Sequence, residues 1–298
     1  MQGMVKQGED RAIDALRRSD ALSVMLASHL DAVASVAPAQ PALDAAADAM
    51  AATLLRGATL FYVAAGSSGL MALADASELP GTFGIAPSQI RVCMAGGVPV
   101  DGIMPGHTED DPEAAHAGVQ DMRPGDLAVV VSASGTTPYA LAFAEAARAQ
   151  GHTVVAIANV AGSPLLATAD VPITLSTAPE VVEGSTRLGA ATAQKVALNM
   201  ISTQAGILLG HVHEGMMVNL NPDNIKLRKR AAAIVAKIAT VPGAEAERAL
   251  DAAEHDTKLA ILIASGAAMP RARELLSQAG GRLGECLPLL AAEITIRN

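Results

Sequence analysis

The sequence is poor in aromatic residues: no tryptophan, two tyrosines and three phenylalanines in 298 residues. Stacking on bases or sugar faces is thereby excluded as its main binding device. Positive charge is also scarce, with 21 Lys and Arg against 30 Asp and Glu and a net charge of −9. That balance argues against nucleic acid or an anionic membrane surface as partner. The two cysteines, Cys93 and Cys286, are too far apart in sequence for a zinc knuckle and too few for a disulfide framework. They read as small buried hydrophobes. No run approaches 18 uninterrupted apolar residues, and Met1–Asp10 has no apolar stretch. Neither a membrane span nor a signal peptide is expected, and the protein is read as soluble and cytoplasmic.

What the sequence does have is aliphatic bulk. Apolar residues make up 51% and charged residues 17%, the mark of an ordered globular chain with a core of Ala, Val, Leu, Ile and Met. Residues 9–56 are Ala-rich and read as about two helices, broken at Pro38 and Pro41. From residue 58 short β-branched runs alternate with helical stretches. Strands are expected over 59–64, 89–94, 126–131, 153–158 and 171–174, and helices over 68–76, 112–120, 138–150 and 164–168. Strand then helix, repeated, predicts an α/β fold, a mostly parallel sheet with helices on both faces. A long helix is expected over 186–209, with Leu198, Ile201, Ala205 and Leu208 on one face. After Asn224 the chain reads as wholly helical. It opens on the basic stretch Lys226–Arg230, read as a solvated helix face, with a soft domain boundary near 240. The expected domains are therefore 1–240 and a small helical 241–298.

Two strand–loop–helix junctions look alike, Gly66-Ser67-Ser68-Gly69 and Ser132-Ala133-Ser134-Gly135-Thr136-Thr137-Pro138. Small residues let the backbone approach a ligand, and hydroxyls with free N–H groups at a helix start favour an anion such as phosphate. The same serines also serve as plain helix caps. Neither loop has a P-loop lysine or dinucleotide-loop spacing. Two acidic loci accompany them, Asp75-Ala76-Ser77-Glu78 and Glu109-Asp110-Asp111-Pro112. Asp111 reads as the cap of the helix beginning at Pro112. Glu78 and Glu109, facing one pocket, would divide acid and base roles. A third block, Pro179-Glu180 through Ser185-Thr186-Arg187, precedes the long helix. Ser185 and Thr186 read as caps. Arg187, disfavoured by the helix dipole unless an anion is near, faces either a ligand or a carboxylate. His107 lies beside Glu109, while His211 and His213 have poor helical metal spacing. No other group has metal-ligand spacing.

Together these motifs resemble the N-acetylmuramic acid 6-phosphate etherases of the sugar isomerase (SIS) domain superfamily. The matching blocks run in family order: Gly66-Ser67-Ser68-Gly69, Asp75-Ala76-Ser77-Glu78, Thr82-Phe83-Gly84, Ala95-Gly96-Gly97, Glu109-Asp110, Ala133-Ser134-Gly135, Pro179-Glu180-Val181-Val182, Gly184-Ser185-Thr186-Arg187, Thr192-Ala193-Gln194-Lys195 and Asn224-Ile225-Lys226-Leu227. They span about residues 5–290. The resemblance implies a three-layer SIS fold with N-terminal helices and a small C-terminal helical bundle. It implies a lyase that cleaves the D-lactyl ether of N-acetylmuramic acid 6-phosphate without metal or cofactor, yielding N-acetylglucosamine 6-phosphate and D-lactate. Glu78 maps onto the family's acid and Glu109 onto the C2 base. Ser67, Ser68, Ser132, Ser134 and Thr137 map onto phosphate binding, with Glu180, Ser185 and Arg187 also at the site. The implied partners are a small sugar phosphate and a second copy, since family members are homodimers with sites near the interface.

The departures concern charge. The family's cations are replaced by Leu70, Thr136 and Gly189, and its Cys-Pro-Pro by Leu79-Pro80-Gly81. Charge-assisted contacts to a phosphate or carboxylate contribute about 1.5–3 kcal/mol each. The alternatives are a related etherase acting on a less anionic sugar ether, a phosphosugar isomerase, or a sugar-phosphate-binding regulator without turnover. Retention of Glu78 and Glu109 favours the etherase.

Overall fold

The computed structural model describes residues 12–297; the first residues of the expected N-terminal helical segment lie outside that range. The strands that form are the β-branched apolar runs. They are β1 (Leu60–Ala64), β2 (Ile90–Met94), β3 (Leu127–Ser132), β4 (Thr153–Ala158) and β5 (Val171–Thr174). All five pair in parallel in the order β2-β1-β3-β4-β5. Strands β1 and β3 are buried along their whole length, as expected for central strands covered on both faces. The partly exposed β2 and β5 form the edges, and β5 tolerates Pro172 there.

The pleat divides the core in two. Leu60, Tyr62 and Ala64 face one helical layer together with Leu127, Val129 and Val131, while Phe61, Val63, Ala128 and Val130 face the other. The first layer is built from α1 (Arg18–Ala34), α2 (Gln40–Leu55), α3 (Gly66–Phe83) and α7 (Gly189–Leu208). The second is built from α4 (Pro112–Val119), α5 (Pro138–Ala149) and α6 (Pro164–Thr168). This is the expected three-layer arrangement. Asp111 caps α4 as predicted, accepting from the N–H groups of Glu113 and Ala114 at 3.0 Å.

Helix α3 is longer than the pattern predicts. The expected helix stops at residue 76, yet α3 runs through Pro80 and Gly81 to Phe83 and ends on Gly84 in the left-handed region. Pro80 gives up the N–H bond to the preceding turn, and the helix end is closed instead by Gly84 N–H donating to the Pro80 carbonyl at 3.0 Å.

A hairpin, β6 (Val212–His213) with β7 (Met216–Met217), leads into the bundle α8 (Ile225–Ala239), α9 (Gly243–Ala252), α10 (Thr257–Ala264), α11 (Met269–Gln278) and α12 (Leu283–Arg297). Helix α8 buries Ala231, Ile234 and Val235 in the same core as α9 and α10. That shared core begins at Val218, ahead of α8.

Residues Arg18–Leu55 are long and apolar enough to cross a membrane by length and composition. The segment is two helices, however, and α2 packs Leu43, Ala46, Ala47 and Met50 into the sheet core. Helix α1 leaves Leu22, Leu26 and Leu30 exposed at four-residue spacing, an apolar stripe on one face.

At the junction of sheet and bundle, the buried Lys258 donates to the Gly281 carbonyl at 2.9 Å. Burial pulls its ammonium down to about 8 from an ordinary 10.5. Burial, aided by Lys258, also pulls His211 down to about 4. Between pH 8 and 10.5 the unfolded chain holds a proton at Lys258 that the folded chain has released, so this group's contribution to stability rises with pH there. The contribution is fully present above the higher value and is lost as pH falls through the lower. Subtracting the melting temperatures of Lys258→Met from those of wild type is expected to leave a difference that rises with pH across this window. A flat difference would contradict the burial argument.

Candidate functional site

In the strand order β2-β1-β3-β4-β5 the chain leaves β1 toward one edge and β3 toward the other. The loops after β1 and β3 thus diverge at the carboxyl ends of adjacent strands, where open parallel sheets hold ligands. Both Ser/Gly loops sit there. The first opens α3, with Gly66 at φ +55° and Ser68 buried. The hydroxyl of Ser67 meets that of Thr186 at 2.8 Å. In the second loop Ser132 and Thr137 hydroxyls meet at 2.8 Å, and Gly135 N–H donates to Ser132 Oγ at 3.0 Å. Thr136 donates from its N–H and its hydroxyl to Ser134 Oγ at 3.2 and 2.9 Å. Gly135 is at φ +67°, and the buried Ser163 side chain fills the space a Cβ would need. Hydroxyls and helix-start N–H groups gathered at a switch point are suited to a phosphate.

The third block is built differently from its reading as a Ser/Thr cap. Helix α7 begins at Gly189, and Glu180 caps it, accepting from Gly189 and Ala190 N–H groups at 3.0 Å each. A carboxylate at a helix start also complements the dipole. Both Glu180 oxygens are thereby engaged, which makes this residue a support of the loop. Ser185 accepts weakly from Arg187 N–H at 3.4 Å. Thr186 swings to Ser67, which leaves Arg187 exposed one residue from that contact.

The two glutamates are both exposed. Glu78 lines a cavity of about 150 Å³ with Asp75, Thr82, Phe83, Asn199, Ser202 and Thr203. One turn before it, Asp75 is only 3% exposed and accepts three hydrogen bonds. They come from Tyr62 Oη at 2.8 Å, Asn199 Nδ2 at 2.7 Å and Ser202 Oγ at 2.9 Å. Burial, with the Asp75 charge and hydrogen bond, raises the Tyr62 phenol well above its usual value. The network ties β1, α3 and α7 together under Glu78.

Glu109 stands elsewhere. It lies in the 3-10 turn Thr108–Asp110, entered through His107 at φ +63°. Its carboxylate lies over Gly66, so close that a Cβ there would stand 2.5 Å from Glu109 Oε1. Gly66 and Glu78 are 12 residues apart on α3, an axial rise of about 18 Å. Even with Glu78 leaning back one turn, about 12 Å separates the two carboxylates within one chain.

Gly66 is therefore required twice, for its left-handed φ and for the room above it. Gly66→Ala is expected to displace Glu109 and to lower folding stability by about 1 kcal/mol or more, because a Cβ is strained at that φ whatever the space. Thermal unfolding followed by circular dichroism checks this.

Sequence reasoning singles out the loops and both glutamates but not their supports. Thr186 reads as a cap, and no local pattern gives Ser202 a role. Gln194, wholly buried, donates to Asn159 Oδ1 at 2.9 Å, and Asn159 donates to Thr177 at 3.3 Å. Asp75 carries a weak signal, a charge among alanines one turn before Glu78. Its partners come from elements as far as 127 residues away, and nothing near it in sequence announces them.

A SIS-domain family model matches residues 27–159. The N-acetylmuramic acid 6-phosphate etherase of Deinococcus radiodurans is 37% identical over 278 residues, covering 92% of this chain and 91% of that one. That of Burkholderia lata is 39% identical over 290 residues, covering 95% and 94%. Among solved structures, a Bacteroides fragilis protein described as a phosphosugar isomerase involved in capsule formation superposes with a TM-score of 0.54 at 20% identity, covering 67% of this chain and 95% of that one. A Listeria monocytogenes protein described as a sugar-phosphate isomerase gives 0.50 at 13%, covering 65% and 93%. At such identities the structures show a shared fold alone.

Proposed function

The chain belongs to the N-acetylmuramic acid 6-phosphate etherase family, and from that premise we propose that it cleaves the D-lactyl ether of N-acetylmuramic acid 6-phosphate. The observation that carries this reading is the match over more than nine-tenths of both chains. The two Ser/Gly loops at the switch point support it, because they offer a phosphate the donors it needs.

The proposed chemistry follows from the substrate's open-chain form. The C2 proton is acidic because it is α to the C1 aldehyde, so a carboxylate suffices as base. Glu109 takes that proton, the C3–O bond breaks, and Glu78 as a carboxylic acid protonates the departing lactyl oxygen. Water then adds at C3 of the unsaturated aldehyde, giving up a proton to Glu78, while Glu109 returns a proton to C2. The products are N-acetylglucosamine 6-phosphate and D-lactate. Ser67, Ser68, Ser132, Ser134 and Thr137 hold the phosphate. Arg187, beside the Ser67–Thr186 contact, supplies a cation where Leu70 and Thr136 supply none. Glu180 and Ser185 fix the loop that carries it.

A working site on this reading needs two chains. Carboxylates that serve one bond elsewhere stand about 5–9.5 Å apart, well short of the separation within one protomer. A homodimer resolves the mismatch if Glu109 of one protomer faces Glu78 of the other. Two surfaces support a second copy. One is the α1 stripe of Leu22, Leu26 and Leu30. The other is a groove of about 750 Å³ between α2 and α7, lined by Pro41, Leu43, Val196, Met200 and Ile207. The groove shares Asn199 and Thr203 with the Glu78 cavity. Burying the stripe in a dimer accounts for it without a membrane. The two unpaired thiols, Cys93 and Cys286, fit a cytoplasmic protein.

Turnover in deuterated water tests the chemistry. Release of D-lactate with one deuterium at C2 of the product is expected. Release with no deuterium incorporated would reject C2 abstraction, and no release from folded dimer would reject the substrate.

A further inference from the structure

A second cavity, of about 300 Å³, opens where the sheet domain meets the bundle. Its walls come from three places. Gly84 ends α3, Asn219 and Asn221 belong to the loop before α8, and Glu254, His255, Asp256 and Thr257 form the turn into α10. The proposed reaction uses none of these residues.

The walls are firmly built. Asn219 Nδ2 donates to the Phe83 carbonyl at 2.8 Å, and the Asn219 carbonyl fills the space a Cβ on Gly84 would need. Glu254 and His255 are consecutive non-glycine residues in the left-handed region, at φ +52° and +69°. Their backbone is held by N–H donation to the Asp251 and Leu250 carbonyls, at 3.1 and 2.9 Å. Asp256 caps α10 through one oxygen, accepting from Leu259 N–H at 2.9 Å, which leaves the other oxygen uncommitted. Thr257 lines the cavity, is 2% exposed, and its hydroxyl has no hydrogen-bond partner among the described residues. A buried hydroxyl left unpaired is destabilising, and a ligand oxygen would relieve it.

The chemistry of the lining selects the ligand. Two carboxylates, two carboxamides, a hydroxyl and an imidazole face the space, and among the described residues no Lys or Arg does. The two lining carboxylates outnumber the one cation beside them, Lys258, whose ammonium is given to the Gly281 carbonyl, so a phosphorylated sugar is disfavoured. The carboxamides and the threonine suit vicinal hydroxyls, and the carboxylates suit an ammonium group. The volume is at the small end for ligand sites, the size of one sugar ring.

We propose that this cavity, lined by Asn219, Asn221, Glu254, Asp256 and Thr257, is a second binding site that takes an unphosphorylated amino sugar. It adjoins the end of the helix that carries Glu78, six residues beyond it, and its ligand chemistry is opposite in charge preference to that of the phosphate loops.

The test is calorimetric titration of the full chain with D-glucosamine in saturating inorganic phosphate, which occupies the Ser/Gly loops. One saturable site per chain is expected, with D-glucose binding at least tenfold more weakly for want of the ammonium. Thr257→Val removes only the unpaired hydroxyl, and Asn221→Ala changes an exposed side chain, so both variants are expected to stay folded. Each is expected to weaken D-glucosamine at least fivefold. No saturable binding up to about 10 mM, binding unchanged in both variants, or displacement by phosphate would each overturn the proposal. The outcome is independent of etherase turnover, so failure here and failure of the etherase reading are distinguishable.

Discussion

Mixing Glu78→Gln protomers with Glu109→Gln protomers is expected to restore about a quarter of wild-type etherase activity, although each variant alone is nearly dead. Positioned acids and bases contribute about 10²–10⁴-fold each, so either variant alone is expected to fall by at least a hundredfold. Both side chains are exposed and accept no hydrogen bond that holds the fold, so the loss is chemical. The restoration follows from geometry. Within a chain, Glu109 lies over Gly66 at the start of α3 and Glu78 lies 12 residues along it. If each site pairs Glu109 of one protomer with Glu78 of the other, a hybrid dimer has one intact site of two. Random exchange makes about half of the dimers hybrid, hence the quarter. Sites completed within one chain predict no restoration at any mixing ratio. The measurement is lactate release after co-refolding, with dimer content checked by light scattering.

Asp75→Ala is expected to lose about 3–5 kcal/mol of folding stability. The substitution leaves three buried donors, on Tyr62, Asn199 and Ser202, without an acceptor, and each orphaned group costs about 1–3 kcal/mol. Against a whole-domain stability of about 5–15 kcal/mol that is a large fraction. Asp75→Asn keeps one carbonyl oxygen for Asn199 and Ser202, and a rotated Tyr62 hydroxyl is able to accept from the new amide. Its expected loss is about 1–2 kcal/mol. Urea unfolding of both variants checks the pair. Equal losses would mean that the carboxylate is not the hub of the network.

Some of this protein is written locally. Strands β1, β3 and β4 are legible because fully buried parallel strands demand unbroken apolar runs, and a run such as Leu127–Ser132 has few other uses. The Asp111 cap is legible because capping is a contact between near neighbours in sequence. The two Ser/Gly loops are legible because a helix start after a strand needs small residues whenever something must approach its backbone. The end of helix α3 misleads, since Pro80 and Gly81 stop most helices but here fall in a final turn packed by Phe83 and Leu79. The cap of α7 misleads as well, because Glu180 reaches forward across a loop while the nearer Ser185 and Thr186 look sufficient.

By itself the sequence determined the alternation of strand and helix, the excess of acidic over basic residues, and the residue types available for chemistry. These depend on neighbours within a turn or a pleat. The tertiary structure alone decided which of those residues meet. It brought Thr186 to Ser67 across 119 positions and Ser202 to Asp75 across 127. It also set Glu109 over Gly66 at the start of α3 and Glu78 toward its far end. Such distances are set by the rigid length of α3 and by the register of β1 between β2 and β3, quantities that exist only once the whole sheet has packed.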